Sequence, residues 1–104
     1  MRIAANHYSN GPVTDVTSEA IRCYQLTPGG GGSTSNYKIH AGGTLNFAAN
    51  PNIYHPGALS AYMAKVPEGQ TAAEFNGAGA VWFKIYQDHP GIGASGMTWP
   101  SQSM

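Results

Sequence analysis

The stretch HPGALSAYMAKVP, residues 55–67, decides how the rest of the chain is read. His-Pro-Gly is a turn signal, and behind it Leu59, Ala61 and Met63 recur at every second position. That period belongs to a strand with one buried face, and Pro67 ends it by withholding a ladder N–H. AVWFKIYQD, residues 80–88, has the same grammar, with Val81, Phe83 and Ile85 set against Trp82, Lys84 and Tyr86. Between them PEGQTAAEFNGAG (67–79) has room for one helical turn around TAAEF before Asn76-Gly77 breaks it.

Outward from these two strands the chain is turn-rich. YKIHAGGTLNFAANP (37–51) reads as strand, Gly-Gly turn and strand, with Leu45 and Phe47 on one face and Thr44 and Asn46 on the other. GPVTDVTS (11–18) leads into AIRCYQL, where Ile21, Cys23 and Gln25 alternate with Arg22, Tyr24 and Leu26 as in a short strand. PGGGGSTSN (28–36) is a Gly/Ser linker expected to be a mobile surface loop. The tail HPGIGASGMTWPSQSM (89–104) reads as irregular.

About five short strands and no long helix predict an all-β fold, an immunoglobulin/fibronectin-like antiparallel β-sandwich with long Gly/Pro-rich loops. Such a sandwich takes about seven strands in about 100 residues, so this one is expected to be incomplete. With 104 residues the chain is expected to form a single, partial domain over 1–104.

Only 10% of the residues are charged and the formal net charge is zero, with no Lys/Arg cluster. That leaves no electrostatic footprint for nucleic acid or an anionic membrane surface, and neither is expected as a partner. No run approaches the roughly 20 apolar residues of a membrane helix, and MRIAANHYSN lacks the apolar core of a signal peptide. A single cysteine, Cys23, makes no internal disulfide, which leaves a reduced compartment or a partner outside the chain.

Four histidines, His7, His40, His55 and His89, are the strong candidate metal ligands besides Cys23, and none has an HxH, HxxxH or HExxH spacing. His40 beside a Gly-Gly turn and His89 before a Gly-rich loop read as solvated. His55 differs because its turn leads straight into a strand. The four glycines at 29–32 match no phosphate-binding motif, and no GxSxG elbow occurs. Asp15, Glu19, Glu68, Glu74 and Asp88 show no local pairing for acid/base work. Composition and spacing alone yield no function.

Four separated blocks, GPVTDVTSEAIRC, IYHPGALSAYMAKVPEGQTAA, GAVWFKIYQD and MTWPSQ, resemble the fungal copper-dependent lytic polysaccharide monooxygenases of auxiliary activity family nine, formerly glycoside hydrolase family sixty-one. The resemblance runs from about Ile3 to Ser101. It implies oxidative cleavage of cellulose-type β-1,4-glucan by a secreted enzyme that uses copper, an external electron donor, and O2 or H2O2.

In that family copper sits in a histidine brace, formed by the amine and ring of an N-terminal histidine and by a second histidine in a motif that YHPGALSAYM matches at His55. Imidazole suits copper in either oxidation state, and a turn packed on a sheet fixes the ring better than a free loop. The resemblance also implies that Cys23 is disulfide-bonded to a cysteine outside this chain, and it makes Tyr54 the local candidate for substrate contact. A Tyr before a turn is as often packed as exposed.

The chain departs from the family pattern in three places. Ala58 stands where relatives usually carry Pro. Met1-Arg2 supplies no brace histidine, with His7 as the alternative local ligand. The region after Trp99-Pro100 that holds the family's second-sphere histidine, glutamine, axial tyrosine and second cysteine is missing, so the resemblance implies truncation at both ends and impaired activity. Uncovered sheet edges are then expected to promote self-association. The alternative is a non-catalytic β-sandwich fragment with weak copper or polysaccharide binding.

Overall fold

The structure, a computed structural model, describes residues 11–22, 34–50 and 52–104. His7, Cys23 and residues 28–33 of the Gly/Ser linker lie outside the described residues. The chain divides into two compact units, 1–38 with 65–81 and 39–64 with 82–104.

In the first unit, residues 71–75 form the single helical turn expected at TAAEF, with the Phe75 N–H donating to the Thr71 carbonyl at 3.0 Å. A reciprocal cap closes it. The Thr71 N–H donates to Glu74 Oε2 at 2.8 Å, and the Glu74 N–H donates to Thr71 Oγ1 at 3.4 Å. This is a capping box, which satisfies donors that a one-turn helix would leave bare. The turn delivers Phe75, 7% exposed and the sole buried hydrophobic residue among those described. The Ala73 N–H also donates to Asn36 Oδ1 at 3.0 Å, linking the turn to the segment after the linker. Gly77, with φ 79°, then ends the helical path where Asn-Gly predicted it.

The strand expected in AIRCYQL does not form over its described part. Glu19–Ile21 is a 3-10 helix capped by Ser18, whose Oγ accepts from the Ala20 N–H at 3.2 Å. Asp15 sets up the turn before it, its Oδ1 accepting from the Thr17 N–H at 2.9 Å and the Thr17 hydroxyl at 2.6 Å. Short side chains that bond their own backbone outcompete the modest β preference of Ile21. Arg22 Nη2 closes the segment on Glu19 Oε1 at 3.1 Å.

The second unit holds both strand pairs. β1 (Ser60–Ala64) and β2 (Trp82–Gln87) form where the period-2 alternation predicts strands, and the structure pairs them antiparallel. The register runs from Ser60 opposite Gln87 to Ala64 opposite Trp82 and shifts between Ala61 and Tyr62. Ala61 faces Tyr86 while Tyr62 faces Lys84, so Ile85 is the extra residue of a bulge on β2. The strict alternation read for 80–88 therefore breaks at Ile85, because a bulge resets which side chains share a face. Lys84 Nζ lies 5.5 Å from the Tyr62 ring centroid and donates to Gln87 Oε1 at 2.5 Å.

The expected buried face of β2 is not found. All six of its residues are exposed, and Phe83 and Ile85 retain 52% and 54% of their surface. A two-stranded ribbon has no second layer of its own, so its apolar side chains stay open until another element covers them. Covering each would contribute roughly 1.5–3 kcal/mol.

Two further segments depart from expectation. At 37–49 the Gly-Gly turn forms, with the Gly43 N–H donating to the His40 carbonyl at 2.9 Å, but its flanks form no strands. Phe47 is 76% exposed. A hairpin with nothing to pack on is marginal in water, and hydrophobic alternation alone does not hold it. The tail expected to be irregular is instead ordered. β3 (Gly91–Gly93) pairs antiparallel with β4 (Gly96–Thr98), and a 3-10 helix follows at Pro100–Ser103. Glycines at both strand ends hid this hairpin, although Gly96, the first residue of β4, supplies a positive φ of 108° directly after the two-residue link Ala94-Ser95. The strands of the described residues pair only antiparallel and their helical segments are single short turns, in keeping with the all-β class.

Candidate functional site: the His55 turn

His55 lies on an exposed turn in the second unit, four residues before the Leu59 amide that meets the end of β2. Its Nδ1 is 2.8 Å from the carbonyl oxygen of Pro56. A carbonyl only accepts, so in the neutral ring Nδ1 carries the proton and Nε2 keeps its lone pair. This is the state in which an imidazole binds a metal through Nε2 while the other nitrogen is steadied by a hydrogen bond. Gly57 follows with φ 150°, a conformation that L side chains rarely adopt.

The turn is fastened by residues far away in sequence. Asp88, 2% exposed at the end of β2, accepts the Leu59 N–H on Oδ1 at 2.5 Å and the Ser101 N–H on Oδ2 at 3.2 Å. The Asp88 N–H in turn donates to the Leu59 carbonyl at 3.0 Å. Ser101, 1% exposed, donates its hydroxyl to the Gly57 carbonyl at 3.4 Å. Gln102 Nε2 donates to the Tyr54 carbonyl at 3.1 Å. The backbone on both sides of His55 is thereby tied to the 3-10 helix Pro100–Ser103.

Tyr54 is 60% exposed, which decides between its packed and exposed alternatives. His40 and His89 are also exposed. Among the described residues no group of three His, Cys, Asp or Glu side chains converges as a metal cluster, at His55 or elsewhere. His55 fits copper as a single imidazole ligand. Sequence reasoning missed Asp88, Ser101 and Gln102, because their partners lie 13 to 48 residues away. The available signal was a lone carboxylate closing an apolar strand, a placement that leaves it buried unless backbone donors meet it.

The family model of Auxiliary Activity family 9 (formerly GH61) matches residues 1–104. The chain is 58% identical to AA9 family lytic polysaccharide monooxygenase A of Thermothielavioides terrestris over 97% of its length and 43% of that protein's. It is 53% identical to monooxygenase H of Malbranchea cinnamomea over its whole length and 44% of the relative's. With monooxygenase A of Thermothelomyces thermophilus the identity is 50%, over 97% of the chain and 44% of that protein. The chain thus spans less than half the length of these relatives. Matched from end to end by the family model and so similar to its curated members, the chain belongs to auxiliary activity family 9.

Proposed function

We propose that the chain is the part of a secreted, copper-dependent lytic polysaccharide monooxygenase that contributes His55 as a copper ligand, and that the whole protein cleaves cellulose-type β-1,4-glucan oxidatively. One observation carries this reading beyond family membership. The His55 ring has Nδ1 committed to the Pro56 carbonyl, which leaves Nε2 as the open nitrogen on an exposed turn. When bound there, copper would supply the one-electron chemistry by which O2 or H2O2, with an external electron donor, attacks a sugar C–H bond.

The chain's own residues prepare the turn. Pro56 steadies the ring, Gly57 accommodates the reversal of the chain, and the exposed Tyr54 ring offers an aromatic face on which a glucan ring can stack. Copper(II) titration of the chain is expected to show one imidazole-dependent site that His55→Ala removes. Binding that is unchanged in His55→Ala would overturn the assignment. Loss of cellulose retention in Tyr54→Ala, with copper binding intact, is expected for a substrate contact.

A second reading is a non-catalytic β-sheet fragment with weak copper or polysaccharide affinity. It is favoured by the lack of a convergent ligand set among the described residues. Oxidised oligosaccharides released from cellulose by the chain with copper and reductant, and abolished by His55→Ala, decide for the first reading. Copper binding without such products decides for the second.

A further inference from the structure

Asp88 stands out as the most buried ionisable side chain described, in a unit where most large side chains are exposed and Ile53, Leu59 and Trp99 are only half-buried. An aspartate is retained in so closed a place only where its oxygens are satisfied. Both oxygens here are met by backbone amides, one from Leu59 just ahead of β1 and one from the 3-10 helix Pro100–Ser103. Those are the two segments that flank and fasten the His55 turn.

Resting on the reading of His55 as a metal ligand, we propose that Asp88 is a positioning residue: its carboxylate clamps the turn so that Nε2 is the nitrogen His55 presents. The Pro56 carbonyl that holds Nδ1 belongs to the peptide plane between Pro56 and Gly57. That plane is not free to rotate. The Gly57 carbonyl is held by Ser101, the Tyr54 carbonyl by Gln102 and the Leu59 amide by Asp88. Ser101 and Gln102 sit on a helix of four residues whose Ser101 amide Asp88 accepts. Without the carboxylate, the helix and the segment just ahead of β1 lose their common anchor and the Pro56 carbonyl swings away from Nδ1. A free histidine ring carries its proton mainly on Nε2, so the wrong nitrogen would then be open.

Asp88→Asn gives the discriminating variant. A carboxylate accepts on both oxygens, whereas an amide of the same size accepts on one and presents a donor with the other. Either Leu59 or Ser101 then faces N–H with N–H.

The experiment reads the His55 tautomer by 15N chemical shifts in the copper-free chain above the ring's titration range, together with copper(II) affinity. The wild-type ring is expected to be Nδ1-protonated. In Asp88→Asn the Nε2–H form should predominate, and copper(II) affinity should fall about 10- to 100-fold, the usual effect of losing an outer-shell partner. Gln102→Ala removes only an exposed clamp contact and should give a smaller shift in the same direction, which keeps the test usable if Asp88→Asn unfolds the strand pair.

An unaltered tautomer in both variants overturns the proposal. So do Leu59 and Ser101 amides in the wild type that exchange as fast as unstructured ones. A tautomer shift in a chain that binds no copper upholds the clamp and sinks the metal reading, which keeps the two failures apart.

Discussion

Leu59 and Asp88 hold each other at two points: the Leu59 N–H donates to Asp88 Oδ1 at 2.5 Å, and the Asp88 N–H donates to the Leu59 carbonyl at 3.0 Å. The pair extends the β1–β2 ladder by one step at the end nearest His55, and a side chain replaces what would be a further backbone partner. Asp88→Ala is expected to leave the Leu59 and Ser101 amides without an acceptor, at a cost of roughly 1–3 kcal/mol each. Urea unfolding followed by far-UV circular dichroism measures the loss, which should exceed that of Lys84→Ala on the exposed strand.

Gly57 adopts φ 150°, and a Cβ built on it meets no atom within 4 Å. Any penalty for Gly57→Ala is therefore backbone strain and not a clash, of order 1–3 kcal/mol. The expected result is a lower unfolding midpoint with weaker copper(II) binding. Gly93→Ala, at a position that is equally open but has no positive φ, should cost less than half as much.

The capping box of Thr71 and Glu74 supports the turn that buries Phe75. Thr71→Ala should cost about 0.5–2 kcal/mol and speed exchange of the Phe75 amide. Phe75→Ala should cost about 3–5 kcal/mol because it empties the one buried apolar position described. Amide exchange followed by NMR separates the two, since the first loosens the turn alone.

Asp15 is held below the ordinary aspartate range by the Thr17 hydroxyl first and the Thr17 backbone amide next, with desolvation opposing them and the Ser18 amide adding least. A carboxylate whose folded pKa is depressed contributes stability above its unfolded pKa and loses it as pH falls through the folded value. The turn at 15–18 should therefore persist at neutral pH and loosen only in acid. A Cγ titration of Asp15 should show a lowered midpoint that Thr17→Val moves back up.

Phe83 and Ile85 lie open on β2 with Trp82 and Tyr86 beside them. Sedimentation is expected to show association that rises with concentration. Phe83→Lys with Ile85→Lys should suppress it while leaving the β1–β2 register intact, as read from cross-strand amide contacts. Unchanged association in the double variant would place the contact elsewhere.

Sequence by itself determined the all-β class, the strands that became β1 and β2, the turn at TAAEF with its Asn76-Gly77 stop, and the candidacy of His55. Each rests on neighbours within a few residues: period-2 alternation, a cap reaching three positions, a Pro-Gly reversal. The family resemblance, carried by four blocks, was legible for the same reason that end-to-end identity is.

Tertiary structure alone decided where local signals met long-range partners or lacked them. Asp88 became a buried clamp only because Leu59 and Ser101, 29 and 13 residues away, converge on it. The 37–49 hairpin and the buried face of β2 failed for the converse reason. Alternation specifies which side chains want cover, but the free energy of burial is released only when another layer supplies it.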